Sequence, residues 1–212
     1  MPDRDNTAIE LVAVAVGMPS VLGISRQQRI ISGIRKHDVD AEIVQVGRTN
    51  VVGDGQADLV NHGGVDKAVY CYPRQHRAFW QEQLGYARRE APFGENLSVL
   101  GVDETAVCIG DTWRWGTVLL QVSQPRWPCY KLAMHTGFPD MVKRFVASGK
   151  SGWYLRVLEE GEAPASGTIA VESWDPAGIT VDMAFSARRN LLDDETTTRV
   201  MTHPALADGW RR

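Results

Sequence analysis

Most of the first 175 residues consist of short apolar segments that are separated by glycine, aspartate or proline. Each segment is rich in β-branched or aromatic residues, which favour β-strands, and Gly110-Asp111 and Gly116-Thr117 are typical of tight reversals between strands. Because helices do not alternate regularly with these segments, a barrel or sandwich is favoured over a parallel α/β sheet. The seven predicted strands are residues 9–16, 42–46, 68–72, 106–109, 112–115, 118–122 and 168–174.

Two helices are predicted within this strand-rich region, at residues 73–84 and 139–148. Each begins with a proline at a first-turn position and ends before a glycine. Aromatic and aliphatic side chains recur at helical spacing in both segments, which gives each helix one apolar face. We therefore expect both helices to pack against the core.

The C-terminal part of the chain differs in composition and predicts three short helices, at residues 180–192, 193–202 and 204–212. Each begins with a capping residue or a proline. A helical segment this short is marginal alone, so it should pack against the β domain or against another subunit of a homodimer. We therefore divide the chain into a mainly β domain, residues 1–176, and a three-helix extension, residues 177–212.

Charge and cysteine content limit the compartment and the classes of partner. A net charge of −3 does not favour nucleic acid, which usually requires a strong basic excess. No membrane span or secretory signal is predicted, since the longest apolar run is interrupted by Glu10 and the first residues are acidic and polar. The three cysteines, Cys71, Cys108 and Cys129, are widely spaced and odd in number, which argues against a disulfide framework and favours the cytoplasm.

Cys129 is the strongest candidate for a chemically active residue. Pro128 fixes the backbone before it, and the nearby cations Arg126 and Lys131 favour the thiolate form of its side chain. Pro125 and Pro128 interrupt the preceding apolar run, so the cysteine is expected on a loop at the end of a strand, where functional groups are often found. The alternative is a buried structural cysteine that packs as a small hydrophobic residue.

A second candidate is the segment Asn61-His62-Gly63-Gly64. Its two glycines allow a sharp bend or a close approach of the backbone to a ligand, and His62 can donate, accept or transfer a proton. The simpler interpretation is an ordinary turn. A cysteine hydrolase that uses Cys129 with His62 or His135 also stays open, because such partners meet in space rather than in sequence.

Two further groups of residues are candidates for ligand contacts. Glu95 and Asn96 directly precede a strand that begins at Leu97, where an Asx turn is the usual explanation. Several cations would form a phosphate pocket if they converged near Cys129, although surface lysines and arginines are ordinarily just solvated. These cations are Lys36, Lys67, Arg74, Arg126 and Lys131.

Four ordered motifs together resemble the MOSC family, named for the C-terminal domain of molybdenum cofactor sulfurases. The resemblance is closest to stand-alone bacterial members of the YiiM type, which are associated with resistance to 6-hydroxylaminopurine, and it covers nearly the whole chain. The resemblance implies a mainly β, barrel-like domain that binds the molybdenum cofactor, a pterin dithiolene with a terminal phosphate. The motifs are HGGVDKAVYCYPRQH at 62–76, FGENLS at 93–98, IGDTWRWG at 109–116 and QVSQPRWPCYKL at 121–132.

The resemblance also implies roles for individual residues. Cys129 matches the characteristic cysteine of the family and would ligate molybdenum, and His62 would orient the ligand or relay protons. Val65 departs from the family pattern, in which proline is common at this position, but removes no functional group. The remaining residues implied to bind the cofactor are Gly63, Gly64, Glu95, Asn96, Arg126, Lys131, Lys36, Lys67 and Arg74.

The expected function is therefore reduction of N-hydroxylated small molecules, such as hydroxylaminopurine bases, by a molybdenum enzyme. A separate electron-donor protein is expected, because no flavin, haem or iron–sulfur motif is present. Two alternatives stay open: a carrier that holds sulfur or the cofactor on Cys129 without turnover, and a metal-free binding module. Fused sulfurases carry a pyridoxal-phosphate domain that is not seen in this sequence, so no pyridoxal phosphate is expected.

Overall fold

The computed structural model describes residues 9–59, 62–86 and 90–211. Its described part contains thirteen β-strands, five α-helices and a short 3-10 helix at Val65–Lys67. The strands are β1 (Ile9–Val16), β2 (Ser20–Ser25), β3 (Gln28–Ser32), β4 (His37–Asp38), β5 (Ile43–Gly47), β6 (Asn50–Val51), β7 (Val69–Pro73), β8 (Leu97–Leu100), β9 (Thr112–Trp115), β10 (Val118–Pro125), β11 (Trp153–Glu159), β12 (Gly161–Pro164) and β13 (Gly167–Ser173).

Seven of these strands form a closed barrel in the order β13-β9-β10-β11-β7-β8-β1, and pairing of β13 with β1 completes the ring. The pairs in this ring are antiparallel except β7 with β8, which run parallel. Closure leaves no open edge in the ring, which protects its strands from pairing with other chains. The expected mainly β, barrel-like fold is confirmed.

The barrel interior is filled by apolar side chains that alternate along the strands. In β9, Trp113 and Trp115 are fully buried, whereas the residues between and before them are half-buried. Trp113 meets Trp153 of β11 edge to face, with ring centroids 5.9 Å apart. This arrangement is one of the favourable geometries for aromatic pairs. The large indoles therefore help to fill the space that seven strands enclose.

The five helices lie outside the barrel, and none in the described part of the chain is long and apolar enough to cross a membrane. A second apolar cluster, which we call the aromatic cluster, packs the first three helices against the sheet, whereas the buried residues of the last two helices belong to the main core cluster. In the aromatic cluster, Trp80 stacks on Phe145 with ring centroids 5.9 Å apart. The helices are α1 (His76–Leu84), α2 (Tyr130–Thr136), α3 (Met141–Ser148), α4 (Val181–Arg188) and α5 (Asp194–Met201). The aromatic cluster comprises Tyr70, Tyr72, Trp80, Phe93, Leu132, Met141 and Phe145.

The two helices predicted within the β domain are present as α1 and α3, but each begins later than predicted. Pro73 is the last residue of β7, and the backbone N–H of Arg74 still donates to the carbonyl of Val99 at 2.7 Å. The sheet thus continues through the expected first turn of α1. Helix α2 was not predicted, because its seven residues are too few to show a clear helical period.

One predicted strand is wrong. Residues 106–109 form turns, with one isolated bridge between Cys108 and Thr180. The turn is closed by Asp111, whose carboxylate accepts a hydrogen bond from the backbone N–H of Cys108 at 2.8 Å. Conversely, the predicted strands do not include β2, β3, β4, β6, β11 and β12, of which β4 and β6 have only two residues each.

The C-terminal extension packs against the barrel and contains two of the three predicted helices, α4 and α5. The predicted third helix is wrong, since residues 204–211 form consecutive turns. These turns are tied to the barrel where the N–H of Ala207 donates to the carbonyl of Ser123 at 3.0 Å, a bond that a regular helix would not make. Trp210 is buried between Phe185 of α4 and Trp127, which lies two residues before Cys129.

Truncation of Trp210 to alanine should therefore destabilise the protein and loosen the segment that carries Cys129. We expect Trp210→Ala to lower the free energy of unfolding by about 3–5 kcal/mol, because a fully buried indole is lost. The measurement is urea denaturation followed by circular dichroism. Leu191→Ala is the matched control, since Leu191 lies in the same extension but is 59% exposed. Equal stability of the two variants would show that the extension is not packed as described.

Candidate functional site

A cleft lies between the barrel and the loops that surround it, and its volume is about 610 Å³ when the space at its open entrance is included. Its walls come from segments that are far apart in sequence: the residues after β3, after β6 and after β10, those before β8, and side chains of β7 and β11. The lining residues are Ser32, Gly33, Ile34, Lys36, Asp54, Gly55, Gln56, Ala57, Asp58, His62, Lys67, Tyr70, Gly94, Asn96, Arg126, Cys129, Lys131 and Tyr154.

Cys129 lines this cleft and lies on the loop between β10 and α2, as expected from the prolines around it. It precedes the first residue of α2 with an extended backbone, at φ −126° and ψ 174°. The other two cysteines, Cys71 and Cys108, are fully buried in the protein interior, whereas Cys129 is half-buried. Cys129 is therefore the cysteine that a ligand in the cleft can reach.

His62 is the direct partner of Cys129. Its Nε2 atom lies 3.3 Å from Sγ of Cys129, and its Nδ1 atom lies 3.1 Å from a carboxylate oxygen of Asp58. His135, the other histidine considered as a partner, is not among the residues that line the cleft. The Asp58 carboxylate, the His62 imidazole and the Cys129 thiol thus form a row of contacting groups at the cleft wall.

The surroundings of Cys129 lower the pKa of its thiol below the ordinary value. Burial alone would raise this pKa, because it disfavours the charged thiolate. The hydrogen bond and charge of His62, the backbone N–H of Lys131 and the charge of Arg126 together outweigh burial. A larger thiolate fraction makes Cys129 a better nucleophile and a better ligand for a soft metal.

The two glycines after His62 shape the backbone beside it rather than the wall of the cleft. Gly64 has a φ of +92°, a left-handed conformation that side chains other than glycine rarely adopt. A Cβ atom on Gly63 would lie 3.0 Å from a methyl carbon of Leu59 and 3.1 Å from its Cα atom. Neither glycine is among the lining residues. Asn61, which precedes His62, lies outside the described residues.

A buried polar network supports one wall of the cleft. Lys36 forms an ion pair with Asp54, and both side chains are almost fully buried. Oδ1 of Asp54, which contacts Lys36, also accepts a hydrogen bond from the backbone N–H of Gly17 at 2.9 Å. Oδ2 of Asp54 accepts a hydrogen bond from the side-chain amide of Asn96 at 2.9 Å. The side-chain oxygen of Asn96 accepts from the N–H of Tyr70 at 3.0 Å. Asn96 thus joins this network to β7.

Four of the five predicted cations line the cleft: Lys36, Lys67, Arg126 and Lys131. Burial lowers the pKa of Lys36, although Asp54 opposes this effect, and burial followed by the charge of Arg188 lowers the pKa of Lys67. The cleft is therefore positively charged but partly shielded from water. Arg74 is not among the lining residues.

Arg126 is a buried part of the wall and is held firmly. Its guanidinium donates to the carbonyl of Phe93 at 2.5 Å and lies 4.6 Å from the centre of the Tyr70 ring. Both contacts suit the planar guanidinium, which stacks on aromatic rings and donates in its own plane. Arg126 therefore presents a fixed positive charge near Cys129.

Glu95 lies behind the wall and does not line the cleft. It is 1% exposed, and its carboxylate accepts from the N–H of Phe93 at 2.9 Å and from the hydroxyl of Ser98 at 3.3 Å. Burial raises the pKa of Glu95, whereas the backbone N–H groups of Glu95 and Phe93 and the charges of Arg77 and Arg126 oppose that effect. Glu95 thus shapes the loop that carries Gly94 and Asn96.

Several residues of the cleft were not predicted from the sequence. Asp54, Tyr70 and Tyr154 had no local signal, because each sits in an ordinary turn or strand. Asp58 had a weak one, since it lies four residues before His62, the spacing at which side chains meet on one helical turn. Within the described ranges, no group of three or more histidine, cysteine or acidic side chains could hold a metal ion.

Comparison with known proteins gives consistent results. The family model for the MOSC domain matches residues 58–173. The Bacillus subtilis protein YflK is 41% identical over 204 residues, which cover 95% of this chain and 90% of that protein. The crystal structure of YiiM from Geobacillus stearothermophilus superimposes with a TM-score of 0.80 at 32% identity, covering 96% of this chain and 95% of that one. A protein of Gibberella moniliformis named "Reductase" is 35% identical and is matched over 67% of this chain but only 26% of its own length.

Removal of the imidazole should reduce the reactivity of Cys129. His62→Ala removes the hydrogen bond and the charge that counteract the effect of burial, so the pKa of the Cys129 thiol should rise. We expect alkylation of Cys129 by iodoacetamide to slow about tenfold at pH 7, because a thiol of higher pKa is less ionised at that pH. The rates should converge at alkaline pH, where both proteins carry the thiolate. Peptide mass spectrometry measures the reaction at Cys129.

The matched control for this experiment is His37→Ala, because the His37 side chain is 75% exposed and contacts Glu90 rather than the cleft. Its alkylation rate should equal that of the wild type. A His62→Ala protein that reacts as fast as the wild type at pH 7 would contradict the role assigned to the imidazole.

Loss of Asp54 should destabilise the cleft wall, because the Lys36 ammonium would stay buried without its partner. We expect Asp54→Ala to lower the free energy of unfolding by about 3–5 kcal/mol. The double variant Lys36→Met with Asp54→Ala should recover part of this loss, since no buried charge is then left unpaired. Urea denaturation of the single and double variants measures the difference.

Asp140→Ala provides the control for the ion pair. It breaks the pair between Asp140 and Arg144, whose side chains are both about half exposed, and should cost less than about 1 kcal/mol. If the double variant at Lys36 and Asp54 were no more stable than Asp54→Ala alone, the buried pair would not be the source of the loss.

Proposed function

The chain belongs to the MOSC domain family, and we propose that it binds the molybdenum cofactor in the cleft beside Cys129 and reduces N-hydroxylated compounds. The observation that carries this proposal is the position of Cys129. It presents a thiol of lowered pKa on the wall of a cationic cleft.

The donor atoms of the cleft fit the cofactor. Molybdenum held by a dithiolene is a soft centre, and thiolate is the soft ligand that proteins provide. Cys129 would supply that ligand, and its lowered pKa favours coordination at neutral pH. Lys67 and Lys131, which line the same cleft, would bind the anionic phosphate as point charges.

The remaining residues of the site would bind and orient. Arg126 keeps a fixed positive charge near Cys129, and Gly94 lines the same cleft, where Ile34 fills the space that a side chain would take. His62 can hold or release a proton at Nε2, which lies 3.3 Å from Sγ of Cys129. When bound, the cofactor supplies the two-electron redox chemistry, and the protein supplies position and charge.

The proposed substrate class comes from the family resemblance, and one relative supports the reaction type. Reduction of an N-hydroxylated base consumes two electrons and two protons, and releases the amine and water. The name "Reductase" of the Gibberella moniliformis relative supports this reaction type. Hydroxylaminopurines are the example we propose to test first. The electrons would come from a separate donor protein.

The decisive experiment measures cofactor content and turnover in one preparation. The protein is purified from a host that makes the molybdenum cofactor, and molybdenum and pterin are quantified per chain. We expect near-stoichiometric cofactor in the wild type and its loss in Cys129→Ser, because the hydroxyl is a poor ligand for a soft metal. Reduction of 6-hydroxylaminopurine with a chemical electron donor should require Cys129.

A second pair of variants tests the cationic wall. Lys131→Ala should lower the cofactor content, because Lys131 lines the cleft, while Lys143→Ala should not, because Lys143 is exposed on α3. Cofactor without turnover would contradict the reductase and favour a carrier that holds the cofactor or sulfur on Cys129. Absence of molybdenum from every preparation would contradict both the reductase and a carrier of the cofactor.

A further inference from the structure

We propose that Asp58 is a positioning residue that fixes the ring orientation and the tautomer of His62, so that Nε2 faces the sulfur of Cys129. This role deepens the proposed function and rests on it, because it concerns how the ligand-binding cysteine is held. The geometry that supports it comes entirely from the chain itself. It can therefore be tested without the cofactor.

Asp58 and His62 are linked twice. The backbone N–H of His62 donates to the backbone carbonyl of Asp58 at 2.9 Å, and Nδ1 of the imidazole lies 3.1 Å from the Asp58 carboxylate. The first bond sets the position of the His62 backbone relative to Asp58. The second sets the rotation of the imidazole ring about its Cβ–Cγ bond. Together they leave the imidazole little freedom to turn away from the cleft.

The backbone beside this pair is built for the same geometry. Gly64 has a left-handed φ of +92°, and Gly63 packs so closely on Leu59 that a Cβ atom would lie 3.1 Å from the Leu59 Cα atom. These constraints let the chain turn sharply directly after His62. The histidine is thereby held on the cleft wall, on the side where Cys129 lies.

The chemistry of the two contacts determines which nitrogen carries hydrogen. An ionised carboxylate only accepts hydrogen bonds, so Nδ1 must carry the proton that it donates to Asp58. In the neutral ring Nε2 is then an acceptor, and it can take the S–H proton of Cys129 at 3.3 Å. Without Asp58, the ring could protonate Nε2 instead and would lose its acceptor toward the sulfur. Carboxylates that orient an imidazole in this way are common beside histidine ligands and bases.

The test reads the tautomer directly in the cofactor-free chain labelled with nitrogen-15 at histidine. The imidazole signals of His62, assigned with a His62→Gln variant, should show a protonated Nδ1 in the wild type. In Asp58→Asn, the Nδ1-protonated form should lose its dominance, because an amide can also donate to the ring. Alkylation of Cys129 should slow several-fold in the same variant. Asp58→Glu should restore both properties, since it returns the carboxylate.

Asp140→Asn is the matched control, because Asp140 is also a carboxylate paired with a side chain four residues away but lies on α3. It should leave the His62 signals unchanged. If Asp58→Asn did not fold, Asp58→Ser would be examined in its place. A His62 tautomer that is unchanged in these Asp58 variants, or that Asp58→Glu fails to restore, would overturn the proposal. Failure of the proposed function would appear separately, as missing molybdenum in the wild type.

Discussion

Closure of the barrel by the pairing of β1 with β13 is the constraint on which the rest of the structure depends. It joins Ile9, the first residue of β1, to Ile169 of β13, so the seven strands of the barrel are held in a fixed ring. The connections that leave this ring are anchored at both ends, and the two that supply most of the cleft wall, residues 17–68 and 126–152, contain short strands or helices of their own. Because these connections are fixed to the barrel strands at both ends, the residues that line the cleft are held in defined relative positions, on which the chemistry of the site depends.

Charge inside the cleft is arranged around one buried anion and one thiol. Asp54 neutralises Lys36 and receives further hydrogen bonds from neighbouring amides, so this part of the wall is internally satisfied. Lys67, Lys131 and Arg126 meanwhile give the remaining cleft a positive potential. A site of this kind attracts an anionic ligand and favours the thiolate, because both lower the electrostatic cost of the clustered cations.

The C-terminal extension contributes to the site at a distance. Trp127, on the same loop as Cys129, packs against Phe185 and Trp210, and Arg188 lies 5.0 Å from its ring centre. The loop is thus held between the barrel and the extension. A segment that the sequence marks only as a helical appendage therefore supports the position of the reactive cysteine.

The sequence by itself determined the features that depend on neighbouring residues: most of the barrel strands, the cores of α1 and α3, and the loop placement of Cys129 after two prolines. Its motifs also identified the family. Only the tertiary structure decided that His62 meets Cys129, 67 residues away, that Asp54 neutralises Lys36, and that Arg74 lies outside the cleft. The physical reason is that local propensity acts over a few residues, whereas these contacts exist only after closure of the barrel brings distant loops together.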